Sequence, residues 1–158
     1  MNKGIWAIIG VIFLTAVFYI YDYKKSIEID NEISGLVYSN ETKLERETSI
    51  NIQGTLHKKF LNRNVFLGKL NMDNDIVYDI KLLHGDNSYF GLFTSEERYL
   101  GILKTTGSIL ISNNLDKTWI QLDEINSKYN LNDGYVSGPA KNIEEANSIA
   151  RSFVENSH

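Results

Sequence analysis

Apolar residues follow three different rhythms along this chain. Residues 5–21, IWAIIGVIFLTAVFYIY from Ile5 to Tyr21, carry no charge and leave no polar stripe. From Ser49 onward apolar side chains recur at every second position, and near the C-terminus they recur at every third or fourth. The first rhythm suits a helix surrounded by apolar matter, the second a strand, the third an amphipathic helix.

A hydrocarbon core about 30 Å thick takes roughly 17 to 25 helical residues. Residues 5–21 meet that length, with Trp6 near one end and Tyr19, Tyr21 and Tyr23 near the other, as aromatic rings sit at the two interfaces. A cleaved leader would need small residues just before the cut, where this chain has Phe18, Tyr19, Ile20, Tyr21 and Asp22. The expectation is therefore an uncleaved transmembrane anchor within residues 1–25, with the lipid bilayer as partner of residues 5–21. A cleaved signal and a buried soluble helix are the rivals. Lys3 flanks one side and Lys24 and Lys25 the other, so the basic flanks do not choose an orientation. A long C-terminal domain translocates with little regard to charge, which favours a domain outside the cytoplasm.

Residues 26–48 are charged and show no alternation. Ile27, Ile33, Leu36 and Val37 approximate helical spacing, so this stretch is expected to be a stalk, partly helical. The Asn40-Glu41-Thr42 triplet fits a glycosylation sequon, which arises often by chance in an Asn-rich chain.

Residues 49–158 read as a β-rich domain. SINIQGTLH, VFLGKLNM, DIVYDIKLL, SYFGLFT, YLGILKT, SILIS and TWIQL are strand candidates separated by polar turns. Asp73-Asn74-Asp75 suits a tight hairpin, and Gly54 and Gly68, standing in phase with the apolar residues, suggest bulges or bends. An antiparallel meander of this kind covers its apolar face by becoming a curled sheet, a sandwich or a small barrel. Residues 123–134 are polar and expected to be loop. A helix is predicted over residues 143–154, with Asn142 as N-cap, Glu144 and Glu145 in its first turn, and Ile143, Ala146, Ile149, Ala150 and Phe153 along one face.

Composition narrows the chemistry. The chain has 158 residues and a net charge of −4, so no basic surface suited to nucleic acid is expected. Without Cys it can hold no disulfide, thiolate zinc site or cysteine nucleophile. His57, His84 and His158 lack the spacing of metal ligands, and no H-E-x-x-H, G-x-S-x-G or phosphate-binding glycine loop occurs. A calcium loop opening at Asp73 would place Tyr78 where Gly is required and His84 where Glu is required. Glu96-Glu97 and Asp123-Glu124 are adjacent carboxylates, and adjacency on a strand points neighbours to opposite faces. No catalytic residue, cofactor or metal is expected. The candidate surface contact is the basic cluster Lys58, Lys59 and Arg63, for anionic lipid or an envelope polymer, or simply a solvated hairpin loop. The strand aromatics Tyr89, Phe90, Phe93, Tyr99 and Trp119, with Tyr129 and Tyr135, are read mainly as core.

TSINIQGTLHKKFLNRNVFLGKLNM and SGPAKNIEEANSIA resemble segments of small membrane-anchored or exported proteins of low-GC Gram-positive bacteria. Those proteins follow an apolar N-terminus with such a strand, a K-x-L-F-like segment and F-x-G, and close on a P-A-K-x-x-E-E-A helix start. Pro139, Ala140, Lys141, Glu144, Glu145 and Ala146 match the second motif; Lys58 to Phe66 and Gly68 match the first, with Phe60 and Leu61 in reversed order. The resemblance spans residues 48–150, implies an envelope location and supplies no activity. The expected function is a single-pass membrane protein whose extracytoplasmic β domain is a binding or accessory module. Alternatives are a regulatory or structural partner of another membrane protein, and an envelope hydrolase.

Overall fold

The computed structural model describes residues 3–23, 25–59, 63–97 and 102–155. Helix α1 spans Lys3–Tyr23. It is followed by the strands β1 (Ile27–Ser39), β2 (Glu45–His57), β3 (Val65–Met72), β4 (Ile76–His84), β5 (Ser88–Glu97), β6 (Ile102–Ser112) and β7 (Thr118–Leu122). A short helix α2 (Asp123–Tyr129), strand β8 (Gly134–Gly138) and helix α3 (Ile143–Glu155) complete the chain. The eight strands form a closed antiparallel barrel in sequence order, with β8 pairing back to β1. The small-barrel form of the expected meander is thus the one adopted, with the C-terminal helix outside it.

Inward positions of every strand fill the barrel. Ile50, Ile52, Phe66, Leu70, Ile109 and Ile120 are among the fully buried residues of one continuous core. Eight strands enclose a lumen about wide enough for side chains alone, and these branched and aromatic residues occupy it. Gly54 and Gly68 face each other across β2 and β3 in unbroken register, so they are not bulges. A Cβ on Gly54 would lie 2.5 Å from the Gly68 Cα and 2.8 Å from the Phe66 ring. Their bareness lets Phe66 lie against the backbone.

Four expectations are corrected. Residues 26–48 are not a stalk: they hold β1 and the start of β2. Alternation in β1 was disguised because Asn31 and Gly35 take inward positions, while Leu36 and Tyr38 face outward and are buried beneath α3. Asn31 donates to the Leu115 carbonyl at 2.5 Å, which satisfies its amide in an otherwise apolar row. Second, Thr106-Gly107 is no turn. It lies within β6, where Phe93 pairs with Gly107 and Thr94 with Thr105, leaving Thr106 as the extra residue of a bulge. Third, residues 123–134 contain α2 and begin β8. Asp123 and Glu124 suit the first turn of α2 and Lys128 its last, and Asn130 ends it in the left-handed region at φ 53°. Fourth, a domain starting at residue 49 would lack β1 and is not a complete barrel.

Other expectations hold. Asp73 and Asn74 both take positive φ in the β3–β4 hairpin, closed by Asp75 N–H donating to the Met72 carbonyl. Helix α3 starts at Ile143, with the Asn142 side chain accepting the Glu145 N–H at 2.9 Å. Glu145 in turn accepts from the Lys141 N–H, one residue earlier than a reciprocal capping box would have it. Ala146, Ile149 and Phe153 pack on Leu36, Tyr38, Trp119 and Tyr135, a second apolar cluster on the outside of β1, β7 and β8. For α1, side chains are described only for Gly4 and residues 8–18. Among the described residues no helix is long and apolar enough to cross a membrane.

Candidate functional site

The barrel has two ends, and its loops divide between them. The near end carries the start of β1, the β2–β3 loop, the β4–β5 turn and the β6–β7 turn. The far end carries the β1–β2 and β3–β4 turns, the β5–β6 connection and α2. Because β1 and β2 are the longest strands, the near end is closed from the opposite side, by the β6–β7 turn. There Leu115, at φ 60°, inserts its side chain into the core. Ile125 and Tyr129 of α2, with Leu44, pack against the core at the far end.

At the near end a polar cavity of about 350 Å³ lies between two turns and the last turn of α3. Asn87 and Ser88 line one side, Ser112, Asn114 and Lys117 another, and Ser152 with Phe153 a third. One hydroxyl makes several of the hydrogen bonds that hold the β6–β7 turn. Ser112 Oγ accepts the N–H groups of Asp116 and Lys117 at 3.1 and 3.0 Å, and donates to the Asp116 carboxylate at 2.6 Å. Hydroxyls and amides set on such a turn can accept and donate to a polar ligand. The one carboxylate there, Asp116, already accepts a hydrogen bond.

A second, smaller concavity of about 290 Å³ lies on the outer face of β1 to β3. Glu32 accepts from Ser49 Oγ, and Asp73 accepts from the Ser49 N–H, both at 2.9 Å. Asn71 donates to Asn74, while its own carbonyl oxygen is buried with no partner among the described residues.

The sequence-derived basic cluster is at the near end. Lys58, Lys59 and Arg63 are exposed, and the Lys59 N–H donates to Asn64 Oδ1 at 3.1 Å. Phe60 and Leu61 lie outside the described residues, as do Tyr99 and His158. His57 Nδ1 is 3.2 Å from Ser26 Oγ, and the His84 ring meets Tyr89 edge-on. Asp123 and Glu124 sit on α2 and not in a loop; Glu124 accepts from the Tyr78 hydroxyl at 2.8 Å. Burial, and then the Glu124 carboxylate, push the Tyr78 phenol up to about 12. The hydrogen bond from Lys128 holds Asp75 below the ordinary carboxylate range, and Asp75 raises Lys128 in return. Trp119 lies on the opposite face of β7 from Ile120, stacked on Tyr135 with ring centres 5.5 Å apart. No group of three or more His, Asp or Glu that could hold a metal ion occurs among the described residues.

The near-end cavity was not visible in the sequence. SNNLDK reads as a turn, and nothing in it announces that α3 ends beside it. Compared with protein-family models, with curated proteins and with solved structures, the chain matches none.

Proposed function

We propose that this chain is a single-pass membrane protein, anchored by α1, whose extracytoplasmic barrel is a binding or accessory module. One observation carries the anchor. The described apolar side chains of α1 are covered by nothing: Phe13 is 68% exposed and Phe18 73%, with Ile12 and Leu14 similarly bare. Each such side chain gains about 1.5–3 kcal/mol on leaving water, and the barrel, already closed and filled, offers it no place. A bilayer does. The described side chains of α1 do not by themselves make a membrane span, so the segment proposed to cross is the uncharged run of residues 5–21 in the sequence. Its Thr15 hydroxyl donates to the Val11 carbonyl within the helix, so that group brings no unsatisfied donor into lipid.

The filled lumen directs any ligand to the surface, where the near-end cavity offers polar groups. The resemblance to anchored envelope proteins agrees with this placement. A second reading, a regulatory or structural partner of another membrane protein, is favoured by bare side chains on the outer wall. Leu83 and Phe90 are cross-strand neighbours, 52% and 41% exposed, with Leu92 beside them. The hydrolase reading draws no support from a cavity whose one carboxylate is engaged by Ser112.

Alkaline carbonate extraction of membranes, followed by mass measurement, tests the anchor. The full-length chain is expected in the pellet, and protease added outside intact cells stripped of their wall should reach the barrel. A soluble species shortened by about 20 to 25 residues would show a cleaved leader instead.

A further inference from the structure

We propose that the near end of the barrel rests on the anionic phospholipid headgroups of the bilayer that holds α1. This rests on the anchor reading above and adds a surface to it. The tether sets the distance. Only residues 24–26 separate α1 from β1, and at about 3.3–3.6 Å per residue they reach little more than 10 Å. That is on the order of the headgroup layer itself, since headgroups add about 10–15 Å to the core over both leaflets. The barrel therefore has no stalk to lift it away, and the end where β1 begins is the end held down.

Charge is divided between the ends in the matching sense. Near-end segments carry Lys25, Lys58, Lys59, Arg63 and Lys117, all exposed, against Glu28, Asp86 and Asp116, while Arg151 and Glu155 in the last turn of α3 cancel. Far-end turns and α2 carry Glu41, Asp73, Asp75, Asp123, Glu124 and Asp133 against Lys43 and Lys128. Of those two cations, Lys128 is paired with Asp75. A chain with net charge −4 thus turns a positive end toward its anchor. Cations within a Debye length of an anionic leaflet are attracted to it, and the attraction fades with salt. Ile27, partly exposed beside Lys25, adds an apolar contact at the same edge.

The test uses the full-length protein reconstituted into vesicles of phosphatidylcholine alone, or of phosphatidylcholine with phosphatidylglycerol. Amine acetylation is followed residue by residue by mass spectrometry. Labelling of Lys25, Lys58, Lys59 and Lys117 is expected to slow several-fold when phosphatidylglycerol is present and to recover in high salt. Labelling of Lys43, at the far end, should not change. In a K58E/K59E/R63E variant, all three in exposed loop positions, protection of Lys25 and Lys117 should disappear. Equal labelling in both vesicles, from protein that resists carbonate, overturns the surface while leaving the anchor standing. Protein that carbonate strips from both vesicles overturns the anchor and the surface together. Protection in phosphatidylcholine vesicles by added polyphosphate, as strong as that by phosphatidylglycerol, overturns the lipid assignment in favour of an anionic polymer.

Discussion

Helices α1 and α3 solve the same problem in opposite ways. Helix α3 gathers Ala146, Ile149 and Phe153 on one face, buries them against β1, β7 and β8, and turns Glu144 and Arg151 to water. Its first turn is capped by Asn142 and carries two carboxylates at its positive end. Helix α1 has apolar residues all round, no acidic residue in its first turn and no basic residue in its last. None of its described side chains belongs to either apolar cluster. One helix is specified by what it docks on; the described side chains of the other stand bare. A helix that is apolar all round and touches no core is incomplete in water.

The sharpest way to break this comparison is to remove pieces from the N-terminus. A chain beginning at residue 26 should keep a β-rich circular dichroism spectrum and a cooperative urea transition, because no described side chain of α1 belongs to the core. A chain beginning at residue 49 loses β1, which pairs with β2 along twelve positions and with β8 along four. It should show no cooperative transition. If both chains melt alike, β1 is dispensable and the barrel is not the folding unit.

Next in size is the docking of α3. Phe153 is 9% exposed, and removing a buried ring costs about 3–5 kcal/mol. Phe153→Ala should lower the stability of the chain beginning at residue 26 by about 3 kcal/mol in urea. A loss below about 1 kcal/mol would mean that α3 merely lies on the wall.

Alkaline pH probes the same contact from beneath. Tyr38 is buried under α3, and burial raises its phenol above the ordinary 10.0. The folded state holds this proton more tightly than the unfolded state does. The resulting stability is complete below pH 10 and declines as pH rises through the folded-state value. Tyr38→Phe should flatten that decline, whatever it costs at neutral pH. An unchanged alkaline limb would show that Tyr38 does not report on the dock.

Legibility followed the number of faces an element buries. Strands β3 and β4 bury one face, so Phe66, Leu70, Met72, Ile76, Ile80 and Leu82 announced themselves by alternation. The second half of β1 buries both faces, and its pattern resembled a loose helix. β8 is five residues long, with Gly at each end, too short and too bare to carry a rhythm. α2 has one buried apolar residue, Ile125. The sequence placed Lys58, Lys59 and Arg63 together because they are neighbours in the chain. It could not assign Lys25 and Lys117 to the same end of the barrel, which the strand order does. The near-end cavity was illegible for the same reason: Ser112 and Phe153, which both line it, lie on elements far apart in the chain.

Capping of α3 is a smaller effect and a local one. Asn142→Ala leaves the Glu145 N–H without its acceptor and should cost about 0.5–2 kcal/mol. Because Ile143 N–H also has a partner, Glu45 Oε1 at 3.1 Å, the helix start is fixed twice and the lower half of that range is expected. Asn142→Asp should restore most of the loss. If Asp fails to do so, the cap is not what Asn142 supplies.

Glu144 gives the smallest effect and the cleanest control. It is exposed, and no side-chain hydrogen bond or ion pair of Glu144 is described, so its only leverage is the field at the start of α3. A carboxylate there contributes about 0.3–1 kcal/mol at low ionic strength, less as salt screens it. Glu144→Gln keeps the shape and removes the charge. In physiological salt the loss should stay within about 0.5 kcal/mol, and in molar salt it should vanish, where the Debye length shrinks to about 3 Å. The Phe153→Ala loss should persist in the same salt, since burial of a ring is not screened. Two losses that both fade with salt would mean that α3 is held by charge. Two that both persist would give Glu144 a contact that an exposed side chain in water does not have. Only the split result keeps α3 as a helix held by one apolar face, which is what sets it apart from α1.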